Sequence, residues 1–98
     1  MMVLERVRSM LLRGDIDITL MSRPGCSLCE KAERAAVRVC GERRVRVVNI
    51  LDDRALEDAY VFRIPVLLVD GVEAADGIVT ERDVRRAVRN AVRRRATL

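Results

Sequence analysis

Residues 16–29 read IDITLMSRPGCSLC and carry the strongest structural signal of this chain. The part IDITLM alternates apolar and polar side chains and includes two isoleucines and a threonine, which predicts a β-strand. SRPG predicts the turn that follows. From Cys26 the apolar residues recur at helical spacing, so Cys26 and Cys29 open a helix directly after a strand. In that context the pair predicts a redox-active dithiol rather than a zinc site or a structural disulfide.

The chain downstream continues the alternation of helices and strands. Gly41 is a natural end for the first helix. Residues 45–50 (VRVVNI) predict a second strand. Asp52 or Asp53 then caps a short helix over about residues 54–60.

A proline and a tight turn mark the third and fourth strands. Residues 63–69 (RIPVLLV) predict a strand with Pro65 at its start, because a central proline would lose a hydrogen bond of the sheet. The dipeptide Asp70-Gly71 predicts a hairpin turn into a fourth strand over residues 72–75.

The last helix combines a capped start with a basic face. Thr80 and Asp83 predict a variant of the capping box. The arginines of this helix contribute to the net charge of +4 and are Arg82, Arg85, Arg86, Arg89, Arg93 and Arg94. Such a face could bind nucleic acid or an acidic partner. The chain has only Tyr60 and Phe62 as aromatic residues and no nucleic-acid-binding motif, so we interpret it as a solvated helix face and do not expect nucleic-acid binding.

The order of the elements predicts an α/β fold in one domain over residues 1–98. The strand-helix-strand unit should have parallel strands and a right-handed crossover. The hairpin adds antiparallel strands, which predicts a mixed four-stranded sheet flanked by helices. A chain of 98 residues is long enough for one core and too short for two. Residues 1–14 form an N-terminal extension in which the apolar spacing predicts a short amphipathic helix.

Composition and apolar patterning predict the location. The chain is 50% hydrophobic and 35% charged, which is typical of a soluble globular protein. No apolar run approaches the roughly 20 residues that a bilayer requires, and charges interrupt the N-terminal residues too early for a secretory signal. We expect a cytoplasmic protein that does not bind membranes, in a compartment where thiols stay reduced unless they are catalytic or sensing.

The helical phase assigns different roles to the two cysteines. Cys26 lies at the helix start, where unpaired N–H groups and the helix dipole stabilise a thiolate. Motifs of this kind lower a cysteine pKa from about 8.5 to about 7, and Arg23 could add a positive charge. Cys29 belongs to the apolar stripe and should be more buried. We therefore expect Cys26 to attack a disulfide and Cys29 to resolve the mixed disulfide.

The third cysteine does not complete a metal site or another disulfide. The chain has three cysteines and no histidine, whereas a structural zinc site uses about four ligands. Eleven residues of helix place Cys40 roughly 16 Å from Cys29, beyond the ~7 Å between Cα atoms that a disulfide allows. We expect no metal site. Cys40 is interpreted as a small core residue, with an exposed thiol open to oxidation or dimer formation as the alternative.

Two segments carry a resemblance to a known family. Residues 19–30 (TLMSRPGCSLCE) and 63–67 (RIPVL) resemble the small bacterial glutaredoxin-like proteins of the thioredoxin superfamily. The similarity covers about residues 16–92. It implies a thioredoxin fold with strand order 2-1-3-4, and it implies that Pro65 is a cis-proline facing Cys26. From the sequence alone Pro65 is only a proline at the start of a strand.

The resemblance also implies substrate-binding residues around the dithiol. In the superfamily the residue before the cis-proline, here Ile64, offers its backbone to an extended substrate. The other positions that we assign to substrate binding are Arg23, Pro24, Arg63, Pro65, Asp76 and Gly77. Typical glutaredoxins carry Thr-Val before the proline and an aromatic residue between the cysteines, where this chain has Arg63-Ile64 and Ser27-Leu28. The resemblance therefore does not identify glutathione as the ligand.

The resemblance and the dithiol together predict a thiol-disulfide oxidoreductase that reduces protein or mixed low-molecular-weight disulfides. We expect no bound cofactor, and glutathione or another low-molecular-weight thiol as the reductant. The expected partner is a disulfide-containing protein or a small thiol, and the expected state is a monomer. The alternative is a non-catalytic thioredoxin-fold binding module that uses the groove by Pro65 or the basic last helix without turnover.

Overall fold

The computed structural model describes residues 16–97, which form a mixed sheet flanked by helices. The strands and α-helices of this range are β1 (Ile18–Ser22), α1 (Ser27–Cys40), β2 (Val45–Asn49), α2 (Arg54–Tyr60), β3 (Val66–Val69), β4 (Val72–Asp76) and α3 (Glu81–Ala96). Short 3-10 turns precede and follow β2, at Glu42–Arg44 and Ile50–Asp52. The helix predicted within residues 1–14 lies outside the described residues.

The sheet has the predicted strand order, β2-β1-β3-β4. β1 pairs in parallel with β2 and antiparallel with β3, where Met21 lies opposite Val66. β3 and β4 form the predicted antiparallel hairpin. Because β1 ends at Ser22 and β3 begins directly after Pro65, the cysteine loop and the proline lie at the same end of the sheet.

Local capping residues fix where the helices begin and end. Cys26 is the N-cap of α1, and Gly41 ends that helix with a positive φ of 88°, a conformation that glycine adopts without steric cost. Asp53, one of the two predicted caps, accepts hydrogen bonds from the first turn of α2. Thr80 and Asp83 form the predicted capping box at the start of α3. These boundaries follow from short-range chemistry that the sequence displays.

The core lies where one face of β1 and β3 meets the apolar stripes of α1 and α3. Its buried members are Ile16, Ile18, Leu20, Ala32, Ala35, Ala36, Leu67, Val69, Val79, Val84, Ala87 and Ala91. The helices contribute mostly alanine and the strands contribute the larger aliphatic side chains, so the helices approach the sheet closely. This packing holds the start of α1, and with it the dithiol, against the end of β1.

The outer face of α3 is basic, as the sequence predicted. Arg82, Arg86 and Arg89 are exposed, and Arg85, which is also exposed, pairs with Glu81 at 3.2 Å.

Across residues 16–97, every helix is too short or too polar to cross a membrane.

The hairpin turn is tied to the last helix by an ion pair. Asp70 and Gly71 both have positive φ angles, 52° and 77°, which are typical of a two-residue turn that matches the twist of a hairpin. The Asp70 carboxylate accepts hydrogen bonds from Arg95 Nε at 2.7 Å and Nη2 at 2.9 Å. It also accepts the backbone N–H of Asp17 at 3.0 Å. The turn therefore joins the start of β1 to the end of α3.

A substitution in the core tests the packing. Leu20 in β1 is fully buried at 0% exposure, and Leu51 after β2 is 50% exposed. Leu20→Ala should lower the free energy of unfolding by about 2–5 kcal/mol, because it removes apolar contacts and leaves a cavity. Leu51→Ala, the same chemical change, should cost less than about 1 kcal/mol. Urea denaturation measures both, and equal losses would contradict the described core.

The Asp70 ion pair predicts a pH dependence of stability. The hydrogen bond from Arg95 lowers the pKa of Asp70, and the Asp17 N–H and the charge of Arg94 lower it further. A lowered folded-state pKa stabilises the fold above the unfolded-state value of about 3.9 and loses that contribution as the pH falls through the folded-state pKa. Asp70→Asn should therefore cost about 1–2 kcal/mol at pH 7 and clearly less near pH 3.

Urea denaturation of wild type and variant at the two pH values makes the measurement. Asp58→Asn is a matched control, since Asp58 is exposed on α2. A loss at pH 3 as large as that at pH 7 would rule out the ionised Asp70 carboxylate as the stabilising group.

Candidate active site

The two cysteines of the motif form a disulfide at the start of α1. Their Cα atoms are 5.2 Å apart, within the usual range for a disulfide. Cys26 has an extended backbone, with φ −105° and ψ 106°, and its Sγ accepts the backbone N–H of Cys29 at 3.2 Å. This N–H is one of the donors at a helix start that have no partner within the helix. The Cys26 sulfur thus lies where backbone N–H groups and the helix dipole favour negative charge.

The two sulfur-bearing residues differ in exposure. Cys26 is half-buried, whereas Cys29 is only 2% exposed. Between them lie Ser27 and Leu28, which are both exposed. An approaching molecule can therefore reach the Cys26 sulfur, whereas the Cys29 sulfur lies behind it and is shielded from that molecule.

The loop before Cys26 carries an exposed cation. Arg23 and Pro24 are both exposed at the end of β1. Within residues 16–97, Arg23 has no hydrogen-bond or ion-pair partner. Its guanidinium is therefore available to an anionic group near the dithiol.

Pro65 and its neighbours lie at the same end of the sheet. The Ile64–Pro65 peptide bond is cis, as the family resemblance implied. Pro65 is buried, and its carbonyl accepts the N–H of Gly77 at 2.9 Å. The N–H of Ile64 donates to the carbonyl of Tyr60 at 3.1 Å. One of the two backbone groups of Ile64 is therefore already bound within the chain.

Two of the predicted substrate-binding residues contact each other. Arg63 Nη2 lies 2.7 Å from Glu73 Oε2 and 3.6 Å from Asp76 Oδ2, and the Arg63 guanidinium lies 5.7 Å from the ring centroid of Tyr60. The hydrogen bond between Arg63 and Glu73 raises the pKa of the arginine and lowers the pKa of the glutamate. Sequence reasoning missed Glu73, because only the folded hairpin shows which β4 side chain reaches Arg63.

The third cysteine lies away from the helix start that holds the dithiol. Cys40 is the last residue of α1, is not disulfide-bonded, and packs against the edge of the core. Burial raises the pKa of its thiol, and the charge of Arg44 partly opposes that rise. In the part of the chain that the structure describes, no three His, Cys, Asp or Glu side chains are grouped so as to hold a metal ion.

The sheet order and the cysteine pair together define a redox-type thioredoxin fold. Comparison with known families identifies the family within this fold class. The model of a family described as "Glutaredoxin-like domain (DUF836)" matches residues 17–94, and the chain belongs to this family.

Solved structures with the same architecture include a thioredoxin and a glutaredoxin. A mutant thioredoxin from Halobacterium salinarum matches with a TM-score of 0.58 and 19% identity, over 80% of this chain and 75% of that one. The oxidised glutaredoxin 2 from Chlamydomonas reinhardtii matches with a TM-score of 0.59 and 15% identity, over 95% of this chain and 97% of that one. No curated protein sequence matches this chain. At these identities the structural matches establish the fold alone.

The site geometry predicts the order in which the reduced cysteines react. Cys26 is the accessible sulfur at a helix start, so iodoacetamide should modify it first at pH 7. Cys29 is almost fully buried, and burial raises the pKa of Cys40, so both should react at least about tenfold more slowly. Tandem mass spectrometry after timed alkylation and tryptic digestion gives the three rates, because fragment ions separate Cys26 from Cys29 within the tryptic peptide of residues 14–31. Faster modification of Cys29 or Cys40 would contradict the described environments.

Proposed function

We propose that this protein is a thiol-disulfide oxidoreductase that reduces protein or mixed low-molecular-weight disulfides through Cys26 and Cys29. The observation that carries the proposal is the position of the Cys26 Sγ, at the N-cap of α1 with the Cys29 N–H directed at it. Membership of a glutaredoxin-like family supports the same chemistry. An accessible sulfur in such a position is activated as a nucleophile.

The reaction proceeds in two exchange steps. The Cys26 thiolate attacks one sulfur of the substrate disulfide, which forms a mixed disulfide and releases the first substrate thiolate. The Cys29 thiolate then attacks the Cys26 sulfur, which releases the second substrate thiolate and forms the Cys26–Cys29 disulfide. Two electrons pass from the protein to the substrate. The short Cα separation of 5.2 Å allows the second step without movement of the helix.

A thiol reductant must regenerate the dithiol. We propose glutathione or another low-molecular-weight thiol for this step, with no bound cofactor. The protein would then act as a monomer in the cytoplasm, where a thiol pool keeps such pairs reduced.

The substrate-binding residues belong to the same proposal. Arg23 and Pro24 lie on the loop before the attacking sulfur, and Ile64 and Pro65 lie on the opposing strand end. An extended substrate would bind the Ile64 carbonyl, or it would displace the bond between the Ile64 N–H and Tyr60. The remaining residues of this set are Arg63, Asp76 and Gly77, which border Pro65.

Single cysteine substitutions test the assignment. Cys26→Ser should abolish reduction of bis(2-hydroxyethyl) disulfide, a small neutral substrate, because no attacking thiolate remains. Cys29→Ser should form a mixed disulfide with the substrate that mass spectrometry detects, because the resolving step is lost. Turnover is measured with dithiothreitol as the neutral reductant, after subtraction of its direct reaction with the substrate, and the mixed disulfide is measured without dithiothreitol.

Cys40→Ser is the matched control and should keep wild-type turnover, since Cys40 packs at the edge of the core away from the dithiol. Wild-type activity in Cys26→Ser would falsify the assignment. No turnover by the wild type, together with partner binding that survives loss of both motif cysteines, would support a non-catalytic binding module instead.

A further inference from the structure

We propose that the surface beside Pro65 selects a disulfide held in a polypeptide, with apolar and cationic neighbours, over a small anionic disulfide such as glutathione disulfide. This specificity rests on the proposed function, because it names the substrate class of the same dithiol. The surface consists of Phe62, Arg63, Glu73, Asp76 and Ile78, and we call it the Pro65 rim.

Contacts within the chain bring the charged members of the Pro65 rim together, and Phe62 and Ile78 adjoin them in sequence. Arg63 lies two residues before Pro65 and pairs with Glu73 and Asp76 of β4. The hydrogen bond from the Gly77 N–H to the Pro65 carbonyl holds the end of β4 beside the proline, and Ile78 follows directly. The antiparallel pairing of β1 and β3 places this group at the end of the sheet where the dithiol lies.

The charges of the Pro65 rim disfavour an anionic ligand. One guanidinium, that of Arg63, is shared by two carboxylates, so the rim carries a net charge of −1. The positive charge of Arg63 is already paired with Glu73, and this hydrogen bond raises the pKa of Arg63 and lowers the pKa of Glu73. Arg23 remains exposed on the loop before Cys26. A small anionic thiol would therefore meet one available arginine and an acidic surface instead of two arginines.

The apolar side chains of the Pro65 rim favour a larger partner. Phe62 is 96% exposed and Ile78 is 74% exposed, and Leu28 between the cysteines is 40% exposed. Isolated exposed apolar residues are common, but these three belong to segments at the Pro65 end of the sheet: Leu28 follows the end of β1, Phe62 precedes Pro65, and Ile78 follows the end of β4. A glutathione moiety offers little apolar area to cover them, whereas a polypeptide segment with an apolar residue beside its cysteine can bury Phe62.

The acidic charge and the apolar groups together identify one occupant. A segment that carries an apolar side chain next to its cysteine and a lysine or arginine nearby would complement both features of the rim. Of the reductants proposed above, the same charge favours an uncharged or cationic low-molecular-weight thiol over glutathione.

The test uses matched substrates and dithiothreitol as the reductant. Four substrates are disulfides of cysteine peptides of one length. In these peptides the cysteine has leucine or glycine beside it, and the flanking charged residue is lysine or glutamate. Glutathione disulfide and bis(2-hydroxyethyl) disulfide are the two further substrates. The readout is the ratio of kcat/KM values for two substrates within one variant, so a general change of activity cancels.

We expect the wild type to prefer the lysine peptide over the glutamate peptide and the leucine peptide over the glycine peptide. The double variant Glu73→Gln, Asp76→Asn should lower the lysine-to-glutamate ratio by about three- to tenfold at low ionic strength and raise relative activity on glutathione disulfide. Arg63→Gln should raise the lysine-to-glutamate ratio by about twofold or more. Phe62→Ser should lower the leucine-to-glycine ratio by about fivefold.

Control variants change the same groups elsewhere. Asp17→Asn with Glu42→Gln removes two carboxylates at the opposite end of the sheet, and Val47→Ser removes an apolar side chain that is 43% exposed on β2. Both controls should leave the ratios at wild-type values. The proposed specificity would be overturned if bis(2-hydroxyethyl) disulfide is reduced but both kcat/KM ratios of the wild type are about one. It would also be overturned if the control variants shift the ratios as much as the rim variants do. Failure to reduce any of these disulfides would overturn the proposed function as well.

Discussion

The antiparallel pairing of β1 with β3 brings the cysteine motif and Pro65 to one end of the sheet. Met21 lies opposite Val66, so the chain leaves β1 toward the cysteines at the same end of the sheet where it enters β3 through Pro65. The buried aliphatic side chains of both strands fix this register, because a shift by one residue would turn them away from the helices. A dithiol and a proline that are 36 residues apart in sequence, from Cys29 to Pro65, thereby come to share one end of the sheet.

The helix start gives the dithiol its asymmetry by local means. Cys26 serves as the N-cap, and its sulfur receives a backbone N–H that the helix leaves unpaired. Cys29 lies within the first turn on the buried side of the same helix. A single structural feature therefore separates an accessible sulfur from a protected one, and the alanine-rich packing of α1 keeps that feature in place.

The β3–β4 hairpin determines which charges lie beside Pro65. β4 returns alongside β3 and carries Glu73 and Asp76 back to Arg63, so the arginine is neutralised within the chain. Arg23, on the cysteine loop, is left exposed. Two arginines that look equivalent in the sequence thus acquire different environments, and the difference bears on which disulfides the site can accept.

The secondary structure, the capping of the helices and the pair of cysteines at a helix start could be predicted from the residues, and the strand order from the family resemblance. These features depend on neighbours within a few residues or on a motif, which the linear pattern displays. The folded chain was needed to show that Arg63 pairs with Glu73 and Asp76, that the Ile64 N–H is bound to Tyr60, and that Phe62 is exposed. The pairing of Arg63 depends on strand register and on side-chain reach across the hairpin, which residue types and spacing do not specify. The Ile64–Tyr60 bond and the exposure of Phe62 depend on the path of the chain between α2 and β3.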